Sequence, residues 1–280
     1  MKFLRFLAYL PTPALYLLSG CLRFFIEYIF KYRFKVIRQN LINSFPEKSE
    51  SEIKILIHGF YRNLSDVLAE AIRAIRISKE EIKQRVKFTN PELASDYISN
   101  GQSIIVLASH TCNWEWLLLA CNIQFPAQID AVYKKLRNPV SDAQMLKVRG
   151  RFGAYMVEMN SLFKAFVTRK EVNRAIALVA DQTPGGGKND YWCTFLGQET
   201  CFYPGPEKLA TKSGYPVLYV GMKRIKRGYY EVYFEKLSEP PYPDEPLIIK
   251  KYAAALEENI WLSPSDWLWS HKRWKHKRPD

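Results

Sequence analysis

Apolar residues recur at helical spacing from about Ser49 to Arg76, at Ile53, Leu56, Ile57, Phe60, Leu64, Val67, Leu68, Ala71, Ile72 and Ile75. The pattern predicts one amphipathic helix, or two in succession. Ser49 stands three residues before Glu52, the spacing of a capping box. Asn90-Pro91 opens a shorter helix that ends near Asn100-Gly101. The period then changes. SIIVLAS, from Ser103 to Ser109, is a continuous β-branched run, as in a strand buried on both faces. His110 follows it, and WEWLLLACNI reads as the next helix. Further strands are predicted over Gln128 to Tyr133, Ala154 to Val157, Ala175 to Ala180, Val217 to Met222 and Tyr229 to Phe234. Helical stretches separate several of them. The alternation predicts an α/β fold, with a mixed, largely parallel central sheet flanked by helices. In such folds functional residues gather at the carboxyl ends of strands. His110 and Asp181 each come just after a predicted strand.

The N-terminal segment differs. Phe6 to Leu22 carries no charge, with Lys2 and Arg5 before it and Arg23 after it. A bilayer span needs about 20 apolar residues, so this run is short, and Pro11 and Pro13 interrupt it near its start. Apolar and aromatic residues resume from Phe24 to Phe30, followed by the basic KYRFKVIRQN. A cleaved leader fits the basic start and the apolar stretch, and Leu18-Ser19-Gly20-Cys21 is similar to a lipoprotein cleavage box. The aromatic residues after Cys21 argue against a polar tether. A buried core helix is a second reading. An uncleaved anchor, spanning the bilayer or lying in its interface, accounts best for the aromatic and basic flanks. Residues 1–38 are therefore read as an anchor with a basic juxtamembrane stretch, and residues 39–280 as one domain.

Composition narrows the partners. Hydrophobic residues make up 48% of the 280 and charged residues 25%, which excludes intrinsic disorder. Lys and Arg total 41 against 28 Asp and Glu, a net charge of +13. So basic a chain favours a polyanion, whether nucleic acid, an anionic membrane or an acidic protein. Five cysteines without a CxxC pair argue against a disulfide scaffold and against a Cys-rich zinc site.

The candidate chemistry centres on His110-Thr111-Cys112-Asn113-Trp114-Glu115. Five steps around a helix leave His110 and Glu115 about 140° apart, so they cannot share one helix face. They can meet if His110 lies in the strand-to-helix turn and Glu115 in the first helical turn. The pair then forms a base and its orienter, with the imidazole taking a proton from an attacking hydroxyl. A capping histidine beside a surface glutamate is the plainer reading. Cys112 is an alternative nucleophile with His110 as base. Asp181 to Lys188, DQTPGGGK, is a glycine-rich loop that lets backbone approach an anion, or is simply flexible; it lacks Walker A spacing. In the tail, WLWSHKRWKHKRPD, Trp267, Trp269 and Trp274 alternate with cations. That suits nucleic acid, a phosphorylated lipid or a headgroup layer, or a solvated basic terminus.

Taken in order, these motifs resemble the bacterial lipid A biosynthesis acyltransferases, the Kdo-lipid A late acyltransferases, within the wider lysophospholipid acyltransferases. The resemblance runs over nearly the whole chain. It covers the apolar N-terminus, NLINSFPE from Asn40 to Glu47, H-x4-E with Asn113-Trp114 inside it, VYKKLRNP, RGRFG, Asp181-Gln182, PGPEKLA and the closing WLWSHKRWKHKRP.

The resemblance implies a glycerolipid acyltransferase-like fold on the cytoplasmic face of the inner membrane. It implies transfer of a fatty acyl chain from acyl carrier protein to a hydroxyl of a phosphorylated lipid A precursor, with no metal or bound cofactor and no nucleic acid partner. His110 would be the general base, Glu115 its partner and Asp181 a further active-site residue. Asn113, Lys134, Arg149, Arg151 and Gln182 would contact substrate. Lys134 stands where the family often has Arg, so a bidentate donor has become a point charge. Anionic inner-membrane lipids and an acidic carrier protein both match the +13 charge. Three rivals stand beside this reading. One is the same fold acting on a lysophospholipid or aminolipid. The second is a non-catalytic protein that binds a membrane surface or nucleic acid, and the third is a thiol hydrolase using Cys112.

Overall fold

The computed structural model describes residues 2–185, 190–245 and 247–278, with the side chains of residues 2 and 3 left aside. Nine strands are described: β1 (Val86–Phe88), β2 (Ile104–Ala108), β3 (Gln128–Tyr133), β4 (Tyr155–Glu158), β5 (Arg174–Val179), β6 (Tyr191–Phe195), β7 (Gln198–Phe202), β8 (Val217–Lys226) and β9 (Tyr229–Ser238). Seven form one sheet in the order β1-β9-β8-β2-β5-β3-β4. Every neighbouring pair is parallel except β8 with β9. This is the expected mixed, largely parallel α/β sheet.

The expected strands all form, and β8 and β9 run longer than their apolar cores predict. Strands β1, β6 and β7 are additions. Hairpin β6–β7 turns on Leu196 and Gly197, both at positive φ, 51° and 69°. Such a two-residue turn matches the twist of its strands. Leu196 is an unlikely residue there by propensity, yet its side chain is buried and Glu257 accepts its N–H.

The Ser49 capping box forms as the spacing predicts: Ser49 Oγ accepts from the Glu52 N–H, and Glu52 Oε2 accepts from the Ser49 N–H. It starts one continuous helix, Glu50–Arg73. Two apolar clusters sandwich the sheet. Ile105, Leu107, Ile176, Val217 and Tyr219 pack with Ile37, Ile57, Phe60 and Leu256 on one side. Ile104, Val106, Leu218 and Val220 pack with Ile98, Trp116 and Leu117 on the other. Alternation along β2 sends successive side chains into opposite layers.

The N-terminal segment breaks at its prolines into helices Lys2–Leu7 and Thr12–Phe24, the latter running on through a π-helical turn, Phe25–Ile29. Lys31 and Arg33 then adopt left-handed conformations, and helix Phe34–Ser44 follows. Among the described residues no single helix is long and apolar enough to cross a membrane. Thr12–Ile29 and Phe34–Ser44 pass that test only jointly, bent by 87°. The expected membrane-anchoring helix is therefore not evident as one continuous span. The expected boundary at residue 38 also falls inside Phe34–Ser44, whose Ile37 and Leu41 are core residues.

Helix Thr12–Phe24 is docked through polar groups. Tyr16 donates to Glu70 at 2.6 Å, Ser19 to Asp66 at 2.5 Å and Thr12 to Glu81 at 3.2 Å. Its outer face is apolar, with Leu17 76% exposed, and Phe30 beyond it is 72% exposed.

Candidate active site

His110 lies where β2 ends and the chain turns into helix Trp114–Gln124. The turn is made by Cys112, at φ 54°, a left-handed conformation that ordinary side chains seldom adopt. It is held from outside: Asp266 O accepts the Cys112 N–H at 2.9 Å, and Thr111 forms a β-bridge with Trp267. Asn113 caps the following helix by accepting the Trp116 N–H at 2.9 Å.

The imidazole of His110 faces Asp181, just past β5. Nδ1 lies 2.7 Å from Oδ1, and the His110 backbone N–H donates to Oδ2 at 2.9 Å. Strands β2 and β5 are parallel neighbours, so both residues emerge from the same sheet edge. Trp267 Nε1 donates to Oδ2 at 2.8 Å. Burial by itself raises a carboxyl pKa, but His110 and these three hydrogen bonds outweigh it and hold Asp181 at about 2. For His110, burial opposes the charged ring, and the attraction of Asp181 more than offsets it, so its pKa is raised above 6.5. An ionised Asp181 can only accept. In the neutral ring Nδ1 therefore carries the proton and Nε2 the lone pair. Gln182 Nε2 sits 3.3 Å from that Nε2.

Glu115 was the expected ring partner, and the structure pairs it differently. Arg149 grips it through two hydrogen bonds, Nε to Oε2 at 2.8 Å and Nη2 to Oε1 at 2.6 Å. Trp114 lies edge-to-face on His110 and donates to Glu115 Oε1 at 3.1 Å. Glu115 thus reaches His110 as a nearby negative charge, while Asp181 fixes the ring.

His110, Glu115, Lys134, Arg149 and Gln182 line one cavity of about 820 Å³. It runs beneath the sheet, against helices Glu92–Ser99 and Trp114–Gln124. Its walls are apolar: Ile98, Leu117 and Phe125 from the helical side, and Ile104, Val106 and Ala108 from β2. Ala131, Ala175 and Ala177 come from β3 and β5. Alanine is a poor strand former, and three on one sheet face leave room that larger residues would fill. From Ala108 to Ile104 the cavity wall descends roughly 13 Å, at about 3.3 Å per strand residue.

Two expected substrate contacts face elsewhere. Asn113 is fully buried, and its Nδ2 donates to Glu70 Oε2 at 2.6 Å. Arg151 donates to Ala74 O at 2.5 Å and Ile77 O at 2.9 Å, so it ties down the exit of helix Glu50–Arg73. Cys112 is also turned away. Its sulfur is buried against Met222 O, and burial pushes the thiol pKa well above its usual range, which removes it as a nucleophile. The aromatic half of the tail is not a free surface: Trp267 and Trp269 are core residues, Trp274 donates to Thr200, and Arg273 is buried over the Phe202 ring, while Lys272, Lys275, Lys277 and Arg278 are exposed. Gly186, Gly187 and Lys188 of the glycine-rich loop lie outside the described residues. Among the described residues no group of three His, Cys, Asp or Glu side chains is arranged to hold a metal ion.

Sequence reasoning missed Trp267 as a partner of Asp181, although the closing aromatic motif marked the residue. It also missed Glu70, a buried carboxylate that accepts from Tyr16, Tyr230 and Asn113 at 2.6 Å each. Two acids one turn apart on an apolar helix face, Asp66 and Glu70, were the available signal.

An oriented imidazole at the mouth of an apolar cavity, with Cys112 turned away from it, is equipment for activating a hydroxyl next to a hydrocarbon chain. Known proteins place the chain in that class, the acyl-transferring enzymes. Residues 1–276 match the family described as "Bacterial lipid A biosynthesis acyltransferase", and the chain belongs to that family. It is 22% identical over 273 residues to the "Lipid A biosynthesis lauroyltransferase" of Escherichia coli (strain K12), covering 97% of this chain and 88% of that protein. Shorter stretches are similar to two further relatives. One is the "Lipid A biosynthesis acyltransferase 2" of Shigella flexneri, 28% identical over 131 residues, covering 46% of this chain and 40% of the relative. The other is the "Lipid A biosynthesis myristoyltransferase" of Escherichia coli (strain K12), 26% identical over 129 residues, covering 46% and 39%.

Proposed function

We propose that this enzyme moves a fatty acyl chain from acyl carrier protein to a hydroxyl of a phosphorylated lipid A precursor, on the cytoplasmic side of the inner membrane. The observation that carries the reading is the position of His110: Asp181 holds its ring at the polar mouth of a long apolar cavity. The donor chain lies along the alanine-floored wall and brings its thioester to the mouth. Nε2 of His110 takes the proton of the acceptor hydroxyl as that oxygen attacks the thioester carbonyl. The carbon–oxygen bond forms, the carbonyl π pair moves to oxygen, and collapse of the tetrahedral species expels the carrier thiolate, which takes the proton from His110. Asp181 keeps the correct tautomer and stabilises the imidazolium. Lys134 and Arg149 share the cavity wall with His110 and offer positive charge to the developing oxyanion and to the acceptor phosphate. Every step uses protein groups and the two substrates, without a cofactor.

The N-terminal segment supports membrane residence. Its polar face is docked on the domain and its aromatic face is outward, the inverse of a soluble helix. That geometry favours an anchor lying in the interface, beside anionic lipid headgroups. The basic, membrane-facing chain meets an acidic carrier and a phosphorylated lipid without needing nucleic acid.

The test is to incubate purified protein with acyl-acyl carrier protein and a phosphorylated lipid A precursor, and to read lipid masses. A gain of one acyl mass, abolished in His110→Ala, is expected. Gain only on a lysophospholipid or aminolipid would keep the chemistry and replace the acceptor. Folded protein inactive on every acceptor would sink the reading.

A further inference from the structure

We propose that the rim of the cavity is a bilayer contact in its own right, in which helix Leu162–Thr168 enters the headgroup layer of an anionic leaflet. This helix is apolar on both sides. Leu162 lines the cavity, and Phe166 packs on Tyr215. Phe163 and Val167, one turn apart on the other side, are 60% and 50% exposed. Met159 before the helix, Tyr203 across the mouth, and Leu136 and Val140 on the third side are exposed as well. Leu136, Met159, Leu162 and Tyr203 line the cavity, and Val140, Phe163 and Val167 belong to the same short segments.

Charge fixes the kind of partner. Lys134, Lys135 and Arg137 stand on the rim beside Leu136. Lys212 places its ammonium 4.3 Å from the centre of the Phe163 ring, and Lys164 lies within the helix. The stretches 134–140 and 159–169 contain no acid. Asp142, which follows the first, is buried and accepts the Leu136 N–H at 2.8 Å. Cations interleaved with exposed phenylalanine and aliphatic residues match an anionic lipid surface, where the rings enter and the ammonium groups remain at the phosphates. An acidic carrier protein accounts for the cations but leaves Phe163 and Val167 without a role. The rim also adjoins the N-terminal segment, because Arg5 donates to Gln144 of helix Pro139–Arg149 at 3.3 Å. Helix Pro139–Arg149 thus joins the rim to the start of the N-terminal segment, and the cavity opens sideways into the lipid from which its acceptor comes.

The inference rests on the reading of a membrane-resident acceptor, and the experiment separates the two. A thiol-reactive environment-sensitive fluorophore is placed at Phe163→Cys in the full chain carrying Cys21→Ser, since Cys21 is the exposed native thiol. A second label at Gln102→Cys marks the opposite, amino-terminal edge of β2 as a control. Vesicles of phosphatidylglycerol with brominated acyl chains contain neither donor nor acceptor, so the label reports the contact whether or not acyl transfer is observed. A blue shift and bromine quenching at position 163, absent at 102, are expected. An aqueous spectrum at 163, with the protein shown by flotation to be on the vesicles, would overturn the proposal. So would a shift that needs acyl carrier protein rather than lipid. In parallel, Phe163→Asp combined with Val167→Asp is expected to slow acylation of vesicle-embedded acceptor about tenfold, from lost apolar insertion, and to leave detergent-dispersed acceptor unaffected. Equal loss on both would count against the contact.

Discussion

Trp267 donates its indole N–H to Oδ2 of Asp181, the same oxygen that accepts the His110 backbone N–H. Oδ1 is left for the imidazole. Two residues 86 positions apart in sequence therefore set the angle of the ring on a third. Trp267 itself is packed against Trp269 and Phe195, which locks the donor in place. Trp267→Phe keeps the packing and removes the donor. A hydrogen bond to a charged group contributes about 1.5–3 kcal/mol, so kcat is expected to fall roughly 10- to 100-fold, with KM for the acceptor little changed. Steady-state kinetics on vesicle-embedded substrate would show it.

Asp181→Asn should be more severe. An amide can present N–H to Nδ1 and stabilise the wrong tautomer, at a cost on the order of 1,000-fold or more in kcat. The pH profile gives a second readout. The active base is the neutral ring, so activity fails below the His110 pKa, and the raised pKa places the acid limb above the ordinary 6.5. Without the Asp181 charge that limb should move to lower pH. Stability moves in the matching sense. Asp181 is held at about 2 against the ordinary 3.8 of an aspartate, so its contribution is present above pH 3.8 and is lost as pH falls towards 2. Denaturant melts across that interval should weaken the wild type more than Asp181→Asn; an equal slope in both would contradict the pairing.

Glu70 is a structural centre. Tyr16 of the N-terminal segment, Tyr230 of β9 and the helix-capping Asn113 all donate to it. Glu70→Ala leaves three donors without their acceptor. We expect a loss of about 3 kcal/mol, on the order of 10 °C in Tm for a domain of this size. Tyr16→Phe should lose about 1 kcal/mol. Calorimetric or fluorescence melts measure both.

The two arginines of RGRFG should separate cleanly. Arg149→Ala strips Glu115 of its bidentate partner on the cavity wall, so kcat/KM should fall at least tenfold, as for a lost charged hydrogen bond. Arg151→Ala releases two carbonyls at a helix exit, so Tm should drop while KM stays within about twofold of wild type, because the side chain does not line the cavity. A raised acceptor KM in Arg151→Ala with unchanged Tm would reverse this assignment.

Ala175 pairs in register with Ile104, at the end of β2 remote from His110. Ala175→Leu adds bulk where the far end of a donor chain would lie. Turnover of the longest accepted donor should fall by about tenfold or more, from overpacking of about 1–3 kcal/mol, with shorter donors spared. A competition assay with mixed acyl carrier protein species reads the shift directly.

Much of the sheet was legible because buried parallel strands leave continuous apolar runs, as in Ile104 to Ala108. Strand β1 was not, since three residues give no period to read. Hairpin β6–β7 was hidden for another reason: its turn uses Leu196, which carries no turn signal. At the candidate site, His110, Glu115, Arg149, Asp181 and Gln182 were marked and do converge. The direct hydrogen-bond partner of His110 is Asp181 rather than its sequence neighbour Glu115, because two parallel strands deliver Asp181 to the ring. Asn113 and Arg151 were marked by their motifs but serve a buried carboxylate and a helix exit. The cavity was invisible, because the absence of bulk at Ala131, Ala175 and Ala177 registers only when the three share a face.

Those alanines also bear on how a reaction cycle would end. Each methylene buried against such a wall gains about 0.8 kcal/mol, so grip on the chain grows steadily with its length. On the proposed reaction the product leaves with that same chain, which must be drawn out into the leaflet. Residence time would therefore lengthen with every carbon that improves capture. The donor turned over fastest would be shorter than the one held most tightly.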